Sequence, residues 1–534
     1  MIPLHTHSNY SLLQGTGTID NLITKAKEYN LLSLALTDTN GMYGLIPFAK
    51  KSLESGIKPI LGAYIDDPKS SKINCLVLAK NIEGFSELCK LITLRKLNDD
   101  FSLVNLLNVT FKNLFIISRS IDLLKSVKRK DVYAELNSVK SQKSKNRNLY
   151  EFSKLNNLKS IVTNPIYFLN KEDYLTHKIL TAIKLNKNID NLSTDEVADE
   201  EFFFKNPADI ENSWRQLPEL FQNIDYISAN CNVDLKLGEF KFPSFNLPSG
   251  ETSFSYLQKI SYDGLARRYD PMSDKAAKRL EYELSVIDEL SFTNYFLVVW
   301  DIVKEAKCRG MMTIGRGSAA NSLVSYCLGL TEVDPVKYNL YFERFLNKGR
   351  SSPPDVDIDF SWKEPDEIVR YVFEKYGYEN VAMISTHVTF RARSAFREVA
   401  KAFGISNEEI SKHSKYIPWT SAENLPNLAQ VFPEAENLNL NNEPWKTIVN
   451  IAAKIANYPR HLSIHPGGIV IAPKPITKYT GLEYAKNKGL GLIITQPDMH
   501  GIEDLGLVKI DLLSQRSLGV LRDTMNKLNS NDSD

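Results

Sequence analysis

Asp355, Asp357 and Asp359 alternate with Val356, Ile358 and Phe360 in the run PPDVDIDF from Pro353 to Phe360. An alternation of period 2 predicts a half-buried strand. Residues two apart on a strand share a face, with Cα atoms ~6.6 Å apart, so three carboxylates line one side and apolar residues the other. Two such charges ~4 Å apart repel by roughly 4 kcal/mol at an effective dielectric near 20. A divalent cation removes that repulsion, and ligands that are all oxygen favour magnesium or manganese. A solvent-facing acidic strand edge would show the same alternation. Far downstream, Gly506 to Leu513 (GLVKIDLL) reads as an apolar strand that presents Lys509 and Asp511 on one face. A lone aspartate in such a strand is expensive to bury unless paired or metal-bound. That makes Asp511 the natural third carboxylate of a two-metal site.

Ahead of the acidic strand stands Ile314 to Ser322, IGRGSAANS, followed by a helix-compatible run from Leu323 to Leu330. Glycines allow a tight bend, and exposed N–H groups at a helix start can cradle phosphate. Arg316 and Ser318 could add hydrogen bonds to phosphate oxygens. A plain strand-to-helix turn fits the same residues, and the Walker pattern is not met because no Lys-Ser/Thr pair follows at the required spacing. Arg391 to Lys401 (RARSAFREVAK) predicts a helix with Arg393, Arg397 and Lys401 four apart, a basic face suited to a nucleic-acid backbone or to solvent. His461, His465 and a turn at Pro466-Gly467-Gly468 precede an apolar strand, Ile469 to Ala472.

These residues need several domains to hold them. The chain has 534 residues, 43% hydrophobic and 24% charged, as in an ordinary folded protein. A formal net charge of +1 excludes a grossly basic nucleic-acid coat but leaves room for local basic surfaces. Five scattered cysteines without a Cys-x-x-Cys pair argue for a reducing compartment and against a zinc ribbon or disulfide framework. Apolar runs are too short to span a bilayer and no secretory signal opens the chain, so the expected location is the cytoplasm, with no membrane.

In the first part, a helix over Asp20 to Tyr29 with Asp20 as N-cap precedes a buried strand from Leu31 to Thr37. Further strands are expected at Lys58–Ile65, Asn74–Leu78, Leu114–Ser118 and Ser160–Asn164, an α/β alternation compatible with a barrel. Asn137 to Asn148, polar and lysine-rich, reads as a solvated loop. Lys241 to Thr252 reads as a linker, after which Arg279 to Leu290 places Leu280, Leu284 and Ile287 on one helical face. The last residues are expected to fray.

Seven segments in this order, RLEYELSVIDEL, GRGSAANS, DPVKYNLYFERFLN, PPDVDIDF, FREVAKAFG, HPGGIVIA and GLVKIDLL, resemble the C-family bacterial DNA polymerases, the DNA polymerase III alpha subunit of DnaE type. They cover Lys278 to about Met525. Tyr326 to Pro335 and the RARS sequence look closer to the error-prone branch. The resemblance implies an α/β multidomain chain: a PHP-like (β/α) barrel over 1–240, a linker and palm start over 241–277, and a polymerase-beta-like nucleotidyltransferase palm over 278–525. A helical thumb insertion is expected around 400–457 and a frayed terminus over 526–534. It implies DNA-directed DNA polymerisation by in-line phosphoryl transfer. Asp355, Asp357 and Asp511 would hold two Mg2+ ions. Gly317 and Ser318 would hold the incoming triphosphate, Arg344 and Lys509 would neutralise phosphate charge, and Asp359 would lie outside the ligand set. Primed template DNA and deoxynucleoside triphosphates would be the substrates.

The N-terminal segment resembles the PHP domain of these polymerases through His5-Thr-His7-Ser8, Leu36-Thr-Asp38 and Tyr43-Gly44. Expected metal-binding positions carry Thr39, Tyr64, Asn74, Pro165 and Tyr167 instead. His5, His7 and Asp38 remain as weak candidates for one ion, so no strong PHP metal cluster and no proofreading activity are expected. The family also continues past the third aspartate into fingers, clamp-binding and OB modules that are absent from this sequence. Either a partner chain supplies them, a C-terminal polymerase chain or further accessory subunits being the expected partners, or the sequence is a truncated product or fragment. The competing reading is a non-catalytic DNA- or polymerase-binding assembly module, against which the three retained aspartates speak.

Overall fold

The computed structural model describes residues 1–349, 356–436, 438, 440–485 and 491–531. The chain divides into two compact units: Met1–Leu235, Thr386–Ser463 and Thr477–Asn487 form the first, and Lys236–Ser385, Ile464–Ile476 and Lys488–Asp534 the second.

In the first unit six strands, β1 (Ser33–Leu36), β2 (Lys58–Asp67), β3 (Ser70–Ala79), β4 (Leu114–Ser118), β5 (Val132–Asn137) and β6 (Lys159–Thr163), form one sheet in sequence order. β1 with β2, β4 with β5 and β5 with β6 run parallel, while β3 is antiparallel to both its neighbours. The extended residues 3–7 close this sheet. Ala35 and Thr37 donate to the carbonyls of Pro3 and Thr6 on one side, and on the other His7 N donates to Ile166 O while Ile166 N donates to His5 O. The result is the expected barrel, with Leu34, Ile60, Val77, Ile116 and Ile161 buried in it.

Two local expectations are corrected. The first helix is Ile19–Glu28 and its cap is Thr18, whose side chain accepts from Asn21 N; Asp20 sits in the first turn. The polar stretch read as a solvated loop at Asn137–Asn148 is instead a short 3-10 turn and the helix Lys143–Leu155. Its few inward residues suffice: Leu149 and Ser153 are buried, and buried Asn146 both accepts from Asn137 N (2.9 Å) and donates to Asn137 O (2.6 Å). The expected thumb helices Ala392–Ala402, Asn407–Ser414 and Trp445–Lys454 also count with this unit. Phe390, Phe396, Val399 and Ile448 share a core with Ile179 and Leu180.

The second unit begins with the irregular stretch predicted as a linker, pinned at its start by Lys241 N donating to Gly506 O (2.7 Å). Helices Ser253–Arg268, Asp274–Glu289 and Thr293–Cys308 follow. The last is apolar on nearly all sides, and its one buried acid, Asp301, accepts from Tyr371 Oη (2.9 Å), Tyr376 Oη (3.0 Å) and Lys375 Nζ (2.6 Å) of the helix Pro365–Tyr376. The sheet of this unit contains β7 (Thr313–Arg316), β8 (Asp357–Ser361), β9 (Val381–Thr389), β10 (Pro459–Ile471), and the strands Ile493–Asp498 and Lys509–Gln515. Their spatial order is Ile493–Asp498, β9, β10, Lys509–Gln515, β8, β7. β9 and β10 continue along the chain into residues of the first unit.

β10 also differs from expectation. Its 13 residues run unbroken through Pro466-Gly467-Gly468, so His461 and His465 lie on the strand and no turn separates them from it. Gly467 serves close approach: a Cβ there would stand 2.4 Å from Leu512 O of the neighbouring strand. Of the terminus expected to fray over 526–534, residues 526–531 belong to the helix Arg516–Asn531, which contacts β8, and 532–534 lie outside the described residues.

Candidate active site

Pairing of β8 with Lys509–Gln515 is parallel, and its register sets Asp511 opposite Asp357. Neighbouring strands are ~4.8 Å apart, so two carboxylates separated by a long stretch of chain start from adjacent backbones. β7 lies antiparallel on the other side of β8 and sets Arg316 opposite Asp357. β10 sets Gly468 opposite Asp511. One row across four strands therefore reads Arg316, Asp357, Asp511, Gly468. Asp355 lies outside the described residues.

Cations already crowd this row. Arg316 Nε stands 3.6 Å from Asp357 Oδ2 and 3.4 Å from Asp359 Oδ1. Lys509 Nζ is 2.8 Å from Asp511 Oδ2. Asp359, buried on the same strand, also accepts from Gln515 Nε2 at 3.5 Å. Among the described residues, three carboxylates thus face two permanent cations. Asp511 Oδ1 is buried and has no hydrogen-bond donor. His465 Nδ1 lies 3.7 Å from it but accepts from Gly468 N at 2.8 Å, so that nitrogen has a lone pair, and no proton, to offer. A buried carboxylate oxygen without a donor fits a metal ion. Among the described residues no three His, Cys, Asp or Glu side chains converge tightly enough to hold an ion alone. In this row the described pair is Asp357 and Asp511.

Next to Arg316 the chain turns at Gly317, whose φ of +71° lies in the left-handed region that a side chain disfavours. Gly317–Asn321 form a 3-10 turn holding Ser318, and the helix-compatible run is helical only over Leu323–Cys327. Exposed Arg344 sits in a second 3-10 turn, Phe342–Arg344, in contact with the first. Sequence reasoning missed what holds the first turn in place. Glu283, wholly buried in Asp274–Glu289, accepts from Ser322 Oγ (2.8 Å) and Val324 N (3.0 Å). Arg279 Nε pairs with Glu283 at 2.9 Å and its Nη2 donates to Asn321 O at 2.8 Å. Burial raises the Glu283 pKa above its usual value, against the lowering effect of these hydrogen bonds and of Arg279. The signal was an Arg–Glu pair four apart inside a helix read for its leucines.

The three basic residues of the Ala392–Ala402 helix are engaged within the first unit. Arg393 donates to Ile417 O (2.6 and 3.2 Å), Arg397 to Ser414 Oγ (3.1 Å), and Lys401 stands 3.6 Å from Glu398.

In the first unit His5 and His7 meet a residue the sequence did not single out. His5 Nδ1 lies 2.7 Å from Glu135 Oε1, which also accepts from Thr163 Oγ1 at 2.7 Å. Burial pushes the Glu135 carboxyl up, but His5, Arg119 and Thr163 together hold it below the usual range. The two histidines share a hydrogen bond between their Nε2 atoms at 3.0 Å, and His7 Nδ1 contacts Ser11 Oγ at 2.9 Å. Asp38 accepts from Ser8 N (2.7 Å), Ser8 Oγ (2.8 Å) and Ser11 Oγ (2.7 Å). Burial still raises its pKa to about 6. Burial lowers the His7 pKa well below its usual value, with His5 adding to it. Tyr167 stacks on His7 at 4.1 Å and Tyr64 on His5 at 5.8 Å. His5, His7, Asp38 and Glu135 therefore find their partners in one another, in serines and threonine, and in tyrosine rings.

The family model for the bacterial DNA polymerase III alpha NTPase domain matches residues 255–514, and the PHP domain model matches residues 3–162. An error-prone DNA polymerase of Symbiobacterium thermophilum is 31% identical over 574 residues, covering 99% of this chain and 52% of that protein. DNA polymerase III subunit alpha of Bacillus subtilis is 32% identical over 547 residues, covering 97% and 49%. That of Halalkalibacterium halodurans is 33% identical over 555 residues, covering 97% and 48%. The chain spans about half the length of the curated relatives it matches.

Proposed function

We propose that this chain, which belongs to the bacterial DNA polymerase III alpha family, supplies the palm carboxylates and triphosphate loop for template-directed DNA synthesis in the cytoplasm. The observation that carries the reading is the in-register pairing of Asp357 with Asp511, one oxygen of which is buried without a donor. Asp355, Asp357 and Asp511 would hold two magnesium ions, which activate the primer 3′-hydroxyl and steady the departing pyrophosphate when bound. Lys509 holds one oxygen of Asp511, which leaves the other free to face a ligand. Arg316 screens Asp357 from Asp359, and with Arg344 it offers guanidinium groups to phosphate oxygens beside Gly317 and Ser318. Arg393, Arg397 and Lys401 would contact the DNA backbone.

The PHP unit serves this reading as scaffold, with no multinuclear metal cluster. The remaining half of the relatives' length, on this or a companion chain, would complete the grip on template and nucleotide.

Primer extension with magnesium tests the reading, using the chain together with a polypeptide carrying that remaining half. Asp357→Asn and Asp511→Asn should each lower extension by roughly a thousandfold, the equivalent of about 4 kcal/mol of transition-state stabilisation. Circular dichroism should stay unchanged. Extension at the unaltered rate by either variant would leave DNA or partner binding as the function.

A further inference from the structure

The second unit contains a groove of about 800 Å³ between the helices Ser253–Arg268, Thr293–Cys308 and Leu323–Cys327. Four cations stand on it, Arg267, Arg268, Lys304 and Lys307, against one acid, Asp263. In a chain of net charge +1 this is a concentration of positive charge. Two of the four are committed: Arg268 and Lys307 share Glu332 at 2.7 and 3.1 Å, and Lys307 also donates to Gly329 O. Arg267 and Lys304 are exposed and form no ion pair among the described residues.

Aromatic rings are interleaved with these charges. Trp300 lies half-buried in the wall and meets Tyr256 edge to face at 5.9 Å, while Tyr256 stacks on Phe245 at 6.2 Å. Lys304 Nζ stands 4.7 Å from the Trp300 ring centre, and the Arg268 guanidinium lies 4.3 Å from that of Tyr326. Cations beside half-exposed rings are what a single nucleic-acid strand uses, because phosphates take the charges and a base takes a ring face. An acidic peptide would satisfy the cations but add nothing to stack on the exposed parts of the Trp300 and Tyr256 rings.

We infer that this groove binds single-stranded nucleic acid, at a place separate from the aspartate row on the sheet. The inference deepens the polymerase reading, on which it rests only for the source of the strand.

The groove carries its own reporter. Cys308 lines it and is exposed, whereas the other four cysteines are buried. Modification of the full chain by a thiol reagent therefore reads occupancy of this wall. A fifteen-residue oligothymidylate should slow Cys308 modification at least about fivefold at low salt, and Trp300→Ala should weaken its binding at least about fivefold. The double variant Arg267→Glu/Lys304→Glu should lose the protection while its melting temperature holds. Arg267→Ala/Lys304→Ala should flatten the slope of log affinity against log salt by roughly 1.4, the value for two lost phosphate contacts on a single strand.

Protection undiminished in both double variants would overturn the inference. So would equal protection by polyglutamate at matched charge, which would mark a surface for acidic polypeptides. Asp357→Asn should protect Cys308 as the unaltered chain does, so a failed polymerase reading and a failed groove give different results.

Discussion

Asp511 Oδ1 is a buried charge-bearing atom with no donor, and its energy falls when a cation arrives. Magnesium should therefore raise the melting temperature of the chain. At ten times the dissociation constant the stabilisation is about 1.4 kcal/mol, and Asp511→Asn should show no such rise in differential scanning fluorimetry. His177 makes the opposite case, a titratable group with every partner in place. Its Nδ1 donates to Gln14 O at 2.7 Å and its Nε2 accepts from Ala198 N at 3.0 Å. Burial lowers its pKa to about 4. A histidine with a depressed folded pKa contributes stability that is present above its usual value and lost as pH falls toward the folded one. Acidification from pH 7 to 4 should thus cost the first unit about 3 kcal/mol through this group. Denaturant unfolding of His177→Asn at the two pH values should show a smaller difference than the unaltered chain. The aspartates were legible in the sequence because charges at period 2 stand out among apolar residues. Glu135 was not, since one glutamate in VYAELN looks like any surface strand until β5 is seen buried along its whole length.

Elements fix how well such residues are held. The Asp274–Glu289 helix grips the turn after β7 from one buried carboxylate and one guanidinium, which makes Arg279 and Glu283 positioning residues. Glu283→Gln keeps the volume but cannot serve Ser322, Val324 and Arg279 together. It should raise the KM for nucleotide at least about tenfold in primer extension with a smaller change in kcat, and lower stability by about 1–3 kcal/mol. The apolar face of this helix was readable from its spacing. The helix Lys143–Leu155 was not, because three inward positions among lysines and asparagines give no periodic signal. Unbroken β10 was hidden for another reason: Pro466-Gly467-Gly468 has the composition of a turn, and only the adjacent strand shows that Gly467 is needed for approach.

At the scale of the molecule, neither unit is a continuous piece of sequence. A boundary near residue 240 was visible as a change in composition, close to the observed change at Leu235. That residues 386–463 return to the first unit was not visible, because contacts between distant segments leave no mark on local pattern. A chain cut after Leu235 would expose Ile179 and Leu180, which pack against Phe390 and Val399 in the first unit's core. Such a fragment should aggregate or melt well below the full chain, and adding residues 386–463 in trans should recover part of the loss. The His5 and His7 network, self-satisfied as it is, should support no nuclease. His5→Ala/His7→Ala should leave degradation of a labelled strand unchanged, near background, and lower the melting temperature.

The parallel partnership of β8 with Lys509–Gln515 also sets a timetable. A ribosome delivers Asp357 about 150 residues before Asp511, roughly ten to thirty seconds at bacterial translation speed. Throughout that interval β8 has an open flank of unpaired amides, the kind of edge that invites foreign strands. Asp357 and Asp359 repel one another and any copy of themselves. Those two acids thus keep nascent chains from pairing wrongly before the proper neighbour of β8 has been made.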